Sequence, residues 1–278
     1  MVGSGYLAML QTGMLAACRK WNCTLAIKSF ELQDPDIAAR VEAFVSSLPL
    51  RGVILPDPLC NMPELLQLIS AAGLRAVRIA PPTGTGDALN VGVDNRQAAF
   101  DMTTYLIGLG HRRIAFIKGP TDHNDANARL AGFRDAMNRA GLPIVEELCV
   151  QSSTFDHSSG LDAAKRLLSV RPLPSAVFAC NDEIAVAVLD TAIEQGLSIP
   201  DDLSLAGFDD APVARTVTPA LTTCRQKMEL TGYTAVDCIV NPPSSAEPQR
   251  WTQAYELIIR QSTAQPARRL TSVKTSAA

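Results

Sequence analysis

The stretch "AVFACNDEIAVAVLDTAIEQGLSIPDDLSLAGFDD", residues 176–210, contains a strand, a helix and a second strand in succession. "AVFAC" is a short apolar run that ends on the polar pair Asn181-Asp182, and "EIAVAVLDTAIEQG" follows as a helix. "LSLAG" is a second apolar run, and it ends on Phe208, Asp209 and Asp210. Two buried strands joined through a helix lie parallel in one sheet, because a parallel pair needs a long crossover and a helix supplies it.

The same alternation continues outward. "IAFIK" (114–118), a polar loop from Gly119 to Asn127, the helix "ARLAGFRDAMNRAG", the strand "LCVQS" and a helix near "SSGLDAAKRLLS" lead into the opening stretch. Further upstream, Asp34-Pro35 is expected to open the helix "IAARVEAFVSSL" as N-cap and first-turn proline. "GVIL" (52–55) reads as a buried strand, "PELLQLISAAG" as a helix stopped by Gly73, and "RAVRI" and "NVGVD" as strands. Asn95 is expected to cap "RQAAFDMTTYLIGLG", which ends at Gly110. So many strand–helix units imply a doubly wound α/β architecture divided between two parallel sheets. The first element, "GYLAMLQTGMLAACRKW", reads as a helix, whereas a doubly wound sheet normally starts with the strand such a helix follows.

Composition narrows the function classes. The chain has 278 residues, 47% of them hydrophobic, enough for a sizeable core, and a formal net charge of -3. That balance argues against a broad basic face for nucleic acid, which needs clustered Lys and Arg to displace counterions. No apolar run reaches bilayer length and no signal-peptide pattern is present at the N-terminus, so the expected compartment is the cytoplasm. The seven scattered cysteines read as reduced thiols in the core. The tail from Gln265, rich in Ser, Thr, Ala and Arg, reads as flexible.

In open α/β sheets, ligands bind beyond the carboxyl ends of the strands. The polar residues at those ends are Arg78, Asp94, Asp122, His123, Asp125, Asn181, Asp182, Asp209 and Asp210. Asp94-Asn95 and Asn181-Asp182 are readable either as helix N-caps or as site groups, and sequence leaves both open. Their recurrence at strand after strand points to one mouth collecting many hydrogen-bonding groups. Phosphate-loop, nucleophile-elbow, HExxH and GxGxxG patterns are all missing, and "GTGD" at Gly84 is too short to serve. His111 is placed to satisfy carbonyls past a helix end and His157 in a first helical turn, leaving His123 in a candidate pocket loop. A Mg²⁺ or Mn²⁺ site at Asp122, His123, Asp182, Asp209 and Asp210 is conceivable from oxygen ligands, but no spacing is diagnostic of a metal and no cofactor is implied.

Five blocks in order are more specific: "GHRRIAFIKGP" (110–120), "ARLAGFRDAMNRAGL" (128–142), "AVFACNDEIAVAVL" (176–189), "IPDDLSLAGFDDAPVA" (199–214) and "PALTTCRQ" (219–226). Together they resemble the effector-binding core of lactose-repressor-family transcription regulators, over roughly residues 4–263. The resemblance implies two Rossmann-like lobes of the periplasmic-binding-protein-like type I fold, joined by three crossovers. The lobes would comprise 1–94 plus 226–250 and 95–225 plus 251–264, followed by the tail 265–278. It also implies a homodimer, a small effector in the cleft, and an N-terminal helix-turn-helix with a hinge helix that would meet operator DNA. That head and the first core strand have no counterpart in this sequence, whether because the sequence is a fragment or because its start is placed too far downstream. A sheet without that strand is expected to lower solubility or stability.

Carried over position by position, the resemblance assigns His123 and Asp125 to the effector loop and Arg129 to the ligand-reaching arginine. Phe155 falls at an aromatic position, while Asn181, Asp209 and Gln226 form the far wall. Ala80 stands where many members have an aspartate, which puts one contact in doubt or transfers it to Arg78. A sugar suits these groups, since its hydroxyls pair with Asp209 or Arg129 and its C–H face packs on Phe155. A purine-like or acidic effector would use the same arginine. Within the opening stretch, Gly207 would let the backbone turn, Phe208 and Asp209 would face the cleft, and "LTTCRQ" would return to the first lobe with Gln226 towards the ligand. The expected mechanism is a shift in lobe orientation, driven by differential affinity of the effector, that changes operator binding. The alternatives are a periplasmic-type sugar-binding protein of a transporter and a metal-dependent hydrolase using Asp182, Asp209 and Asp210; of these, the regulator is favoured.

Overall fold

A computed structural model describes residues 4–81, 89–242 and 250–266 of the chain. In chain order its elements begin with α1 (Ser4–Trp21), α2 (Ile37–Ser46), β1 (Gly52–Leu55), α3 (Pro63–Ala71), β2 (Arg75–Ile79) and β3 (Leu89–Val93). They continue with α4 (Asn95–Gly108), β4 (Ile114–Lys118), α5 (Asn124–Arg139), β5 (Cys149–Gln151), α6 (His157–Ser169), β6 (Ala176–Ala179) and α7 (Asp182–Glu194). The last are β7 (Ser204–Ala206), α8 (Val213–Thr216), β8 (Thr223–Gln226), α9 (Met228–Val240), β9 (Arg250–Gln253) and β10 (Tyr255–Ile258).

The strands form two parallel sheets, ordered β1-β2-β3-β9 and β5-β4-β6-β7, as the alternation in sequence requires. A two-stranded antiparallel ribbon, β8 with β10, runs between them, with Gln226 opposite Tyr255. The chain therefore passes between the sheets after β3, after β8 and after β9. All of β9 pairs with β3, from Asn90↔Arg250 to Val93↔Gln253, so the first sheet extends three residues beyond the boundary expected at 250.

Each sheet is covered on its faces by helices. In β1 the side chains alternate: Val53 and Leu55 pack with Ile37, Val41 and Leu65 of α2 and α3, whereas Ile54 packs with the cluster of α1 and α9. Apart from the edge strand β5, the second sheet's strands are buried on both faces, and every residue of β6 is fully buried. Phe116 of β4 anchors that core, stacking on Phe133 of α5 at 5.0 Å between ring centroids and meeting Phe178 of β6 edge-on at 5.2 Å. All seven cysteines are free thiols, and six are buried.

Several helix starts are capped by side chains. Asp156 accepts from Ser159 N–H at α6, and Asn181 from Ile184 N–H at α7. Two starts differ from the sequence reading. Asp94, not Asn95, caps α4 by accepting from Gln97 N–H, which releases Asn95 for other partners. The α2 helix starts at Ile37 with Asp36 at the N-cap, because the Asp34 carboxylate bonds Asp36 N–H and pairs with Arg40. His111 also differs: its ring reaches Ser175 Oγ and the carbonyl of Ala264, tying the C-terminal segment to the second sheet's body instead of serving the helix end. His157 does open α6, where it pairs with Asp190 at 2.7 Å. The tail from Gln265 and the "GTGD" at Gly84 fall, apart from Gln265 and Pro266, outside the described residues. Among the described residues no helix is long and apolar enough to cross a membrane.

Candidate functional site

In the order β5-β4-β6-β7 the chain moves from β4 to β5 on one side and then back across to β6 on the other. A crevice opens between connections that diverge in this way. A narrow cavity of about 370 Å³, counting its open mouth, is lined by residues that follow these strands: His123, Asp125 and Arg129 after β4, Phe155 after β5, Asn181 after β6 and Asp209 after β7. Tyr6 of α1 and Asp57 after β1 close it from the first sheet's side.

The floor depends on a glycine. A Cβ at Gly119, directly after β4, would lie 2.7 Å from the Phe155 ring and 3.0 Å from Cys180 Sγ, so the loop can sit this close only without a side chain. From that loop His123 meets Phe155 edge-on at 5.0 Å and bonds Asp122 at 2.9 Å. Asn181 holds the opposite side, donating to the Phe155 carbonyl while it caps α7. Both readings of Asn181, cap and cavity group, are thus true of one side chain.

Arg129 is buried at the centre. Its Nε donates to Asn95 Oδ1 at 2.8 Å, Nη1 donates to the Cys180 carbonyl at 2.7 Å, and Nη2 stands 3.5 Å from Asp209 Oδ1. Burial opposes its charge, but Asp209, Cys180 and Asp125 hold its pKa above the usual value. Asn95, freed from capping, also donates to Asp125 Oδ1 at 2.8 Å. Burial pushes the Asp125 carboxyl up to about 7 and that of Asp209 up to about 6, with Arg129 opposing both shifts. The Tyr6 hydroxyl is raised well above 10 by burial and by the carboxylates around it.

The two adjacent acids of "GFDD" do different work. Asp209 and Asp210 both lie in the left-handed region, with φ of 108° and 53°, which turns one carboxylate to the cavity and the other away. Asp210 is buried against three arginines, Arg215, Arg225 and Arg260, at 2.5–2.7 Å. Burial raises its carboxyl, yet these three donors together hold it below the usual carboxylate range. Gly207, expected to let the backbone turn, instead makes room: a Cβ there would lie 2.2 Å from Asp182 Oδ1. Asp182 in turn grips the loop, donating N–H to Phe208 O and accepting from Ala211 N–H and Thr223 Oγ1. Phe208 is fully buried beneath Arg129, whose guanidinium lies 3.8 Å from the ring centroid, so this ring supports the arginine from behind the cavity wall.

Residues 103–263 match the family described as periplasmic binding protein-like domain. The chain belongs to this family. The chain is 40% identical over 163 residues to the ribose operon repressor of Escherichia coli K12, a match covering 58% of this chain and 48% of the repressor. It thus spans about half the length of the curated relatives it matches. Among solved structures, a LacI family transcriptional regulator from Mycobacterium smegmatis superposes with a TM-score of 0.83 at 27% identity, over 95% of this chain and 96% of that one. A complex of the transcriptional regulator CelR with cellobiose superposes with a TM-score of 0.82 at 29% identity, over 92% and 79%.

The periplasmic-binding-protein-like frame brings six of the eight sequence-predicted residues together around the cavity: His123, Asp125, Arg129, Phe155, Asn181 and Asp209. Gln226 stands one layer behind, donating to Asp209 Oδ1 at 2.6 Å, and Arg78 turns its Nε to the Cys60 carbonyl at 2.7 Å; neither is on the cavity wall. Neither Tyr6 nor Asp57 is among the residues that sequence predicts for the site. Asp57 follows "GVIL" as directly as the other candidates follow their strands, so the strand-end rule reaches it. Tyr6 carries no such signal, since it sits inside a helix of the opposite body. Among the described residues, no group of three or more His, Cys, Asp and Glu side chains is arranged to hold a metal ion.

Proposed function

We propose that this chain is the effector-binding core of a lactose-repressor-type transcription regulator and that its cleft takes a polyhydroxylated, sugar-like molecule. The observation that carries this is the pairing of buried Arg129 with Asp209 at one cavity wall, where a donor and an acceptor stand side by side. Vicinal hydroxyls, each donor and acceptor, match such a pair, and the apolar face of a sugar suits the Phe155 ring beside it. The bound cellobiose of the CelR regulator and the ribose operon repressor's name support that ligand class.

The two sheets with their helices act as lobes, and the three crossovers form the hinge. An effector that binds more tightly to one lobe arrangement shifts the equilibrium toward it by that difference in affinity and no more. In the whole regulator a homodimer passes this shift to a DNA-binding head that contacts operator DNA. Differential scanning fluorimetry of the purified chain against neutral mono- and disaccharides tests the ligand reading. A ligand present at 100 times its Kd stabilises by about 2.7 kcal/mol, a clear rise in melting temperature. Flat melting across the whole panel overturns it.

A further inference from the structure

Asp57 belongs to the loop after β1, yet two of its three hydrogen bonds are made across the cleft. Its Oδ2 accepts from Asn124 N–H at 2.6 Å, and its Oδ1 accepts from Asn124 Nδ2 at 3.0 Å and from Asn61 Nδ2 at 2.7 Å. Asn124 is the first residue of α5, a helix of 16 residues. The residue at that helix's own N-cap, His123, contributes no side-chain cap; its Nδ1 faces Asp122 instead. The cap of α5 is thus supplied from the opposite body, at the edge of the cavity.

A helix N-terminus is where an anionic ligand would be held, by free N–H groups and by a partial positive charge of about half a unit. Here a protein carboxylate already fills that place. The other charges agree. Asp125 and Asp209 also line the cavity, and Asp209, only 6% exposed, has no hydrogen-bond partner at Oδ2 among the described residues. Arg129 has its Nε and Nη1 committed to Asn95 and Cys180 and its Nη2 near Asp209. An anionic group entering the cleft would meet three carboxylates and a single arginine, whose charge Asp209 already pairs.

We infer that Asp57 is a specificity-determining residue: by occupying the α5 N-terminus from across the cleft, it excludes anionic effectors and leaves the site to uncharged polyhydroxylated ones. This rests on the cleft being the effector site, and it narrows that reading to one charge class. It also makes Asp57 a latch, since the same carboxylate that repels an anion joins the two bodies.

The test is calorimetric titration of the purified chain with neutral sugars and their phosphate esters, D-ribose with D-ribose 5-phosphate and D-glucose with D-glucose 6-phosphate, and separately with inorganic phosphate. In the wild type, any neutral sugar that binds does so at least about tenfold more tightly than its ester, equivalent to ~1.4 kcal/mol. Asp57→Ala frees the helix N–H groups and removes a negative charge, so its affinity for inorganic phosphate rises by about tenfold or more over the wild type. Asp57→Asn preserves the side-chain volume and carries the comparison if the alanine variant does not fold; it too gains phosphate affinity. An ester that binds the wild type as tightly as its parent sugar, or phosphate affinity unchanged in the folded variants, overturns the inference. If no neutral sugar binds the wild type, the sugar-binding reading of the cleft fails, while the phosphate comparison still decides the role of Asp57.

Discussion

Arg129 and Asp209 face each other at 3.5 Å, one from α5 and the other from the loop after β7, both almost fully buried. Neither is held by the other alone. Phe208 lies under the guanidinium, and Gln226 donates to the carboxylate. The pair is therefore set in place before any ligand arrives, and ligand hydroxyls meet groups that need little reorganisation.

Asp209→Asn keeps the shape of the wall but removes the charge that pairs with both Arg129 and a ligand hydroxyl. Charge-assisted hydrogen bonds contribute about 1.5–3 kcal/mol, so sugar affinity is expected to fall by roughly 10- to 150-fold. Isothermal titration measures it. Affinity within twofold of the wild type would remove Asp209 from the site.

Gly207→Ala puts a methyl group where Asp182 Oδ1 now lies, 2.2 Å from the new Cβ. Overpacking of this kind costs about 1–3 kcal/mol, and the displaced Asp182 also loses its grip on Ala211 and Thr223. Urea unfolding should show a lower midpoint, and ligand affinity should drop with it, because the same loop aims Asp209. An unchanged midpoint would contradict the crowding seen at this position.

Asp210→Ala leaves Arg215, Arg225 and Arg260 facing one another without their shared carboxylate. The loss is about 2–4 kcal/mol, below that of a fully buried ion pair because Arg215 and Arg225 reach solvent. Arg225 lies on β8 and Arg260 follows β10, so the variant also loosens the ribbon between the sheets. Denaturant titration gives the stability, and faster amide exchange in 223–226 and 255–258 would report the loosening.

Ligand-free stability should rise as the pH falls from 8 towards 5. Burial raises Asp125 to about 7 and Asp209 to about 6, whereas an unfolded aspartate titrates near ~3.9. Between those values the folded state binds more protons than the unfolded state. The favourable contribution is fully present below ~4 and is lost as the pH rises through 6 and 7. Asp125→Asn should flatten the upper part of this profile, read as melting temperature against pH. A profile that rises toward pH 8 in the wild type would reverse the assignment.

The strand–helix alternation is legible because it is local: apolar runs of four or five residues bounded by turn residues are too short for helices and read as buried strands. His123, Asp125, Arg129, Asn181 and Asp209 are legible because strand ends and the five family blocks mark them, and Phe155 only through the position-by-position resemblance. The pair Asp94-Asn95 reads in sequence either as a helix cap, with Asn95 the expected capping residue, or as site groups; Asp94 makes the cap and Asn95 turns inward to Arg129 and Asp125. Adjacent polar residues at a helix start are interchangeable on sequence grounds, and only packing decides which of the two faces solvent.

The sequence by itself therefore determined the pair of parallel sheets, the family and most of one cavity wall, since these follow from periodicity and from residues close together along the chain. Tertiary structure alone decided the opposite wall. Tyr6 and Asp57 reach the cavity only because two separately built bodies face each other, and the backbone at Asp209 and Asp210, not the identity of two like acids, selects which carboxylate enters the cleft. Contacts between bodies joined by three crossovers depend on orientation, and orientation leaves no repeat in a linear sequence.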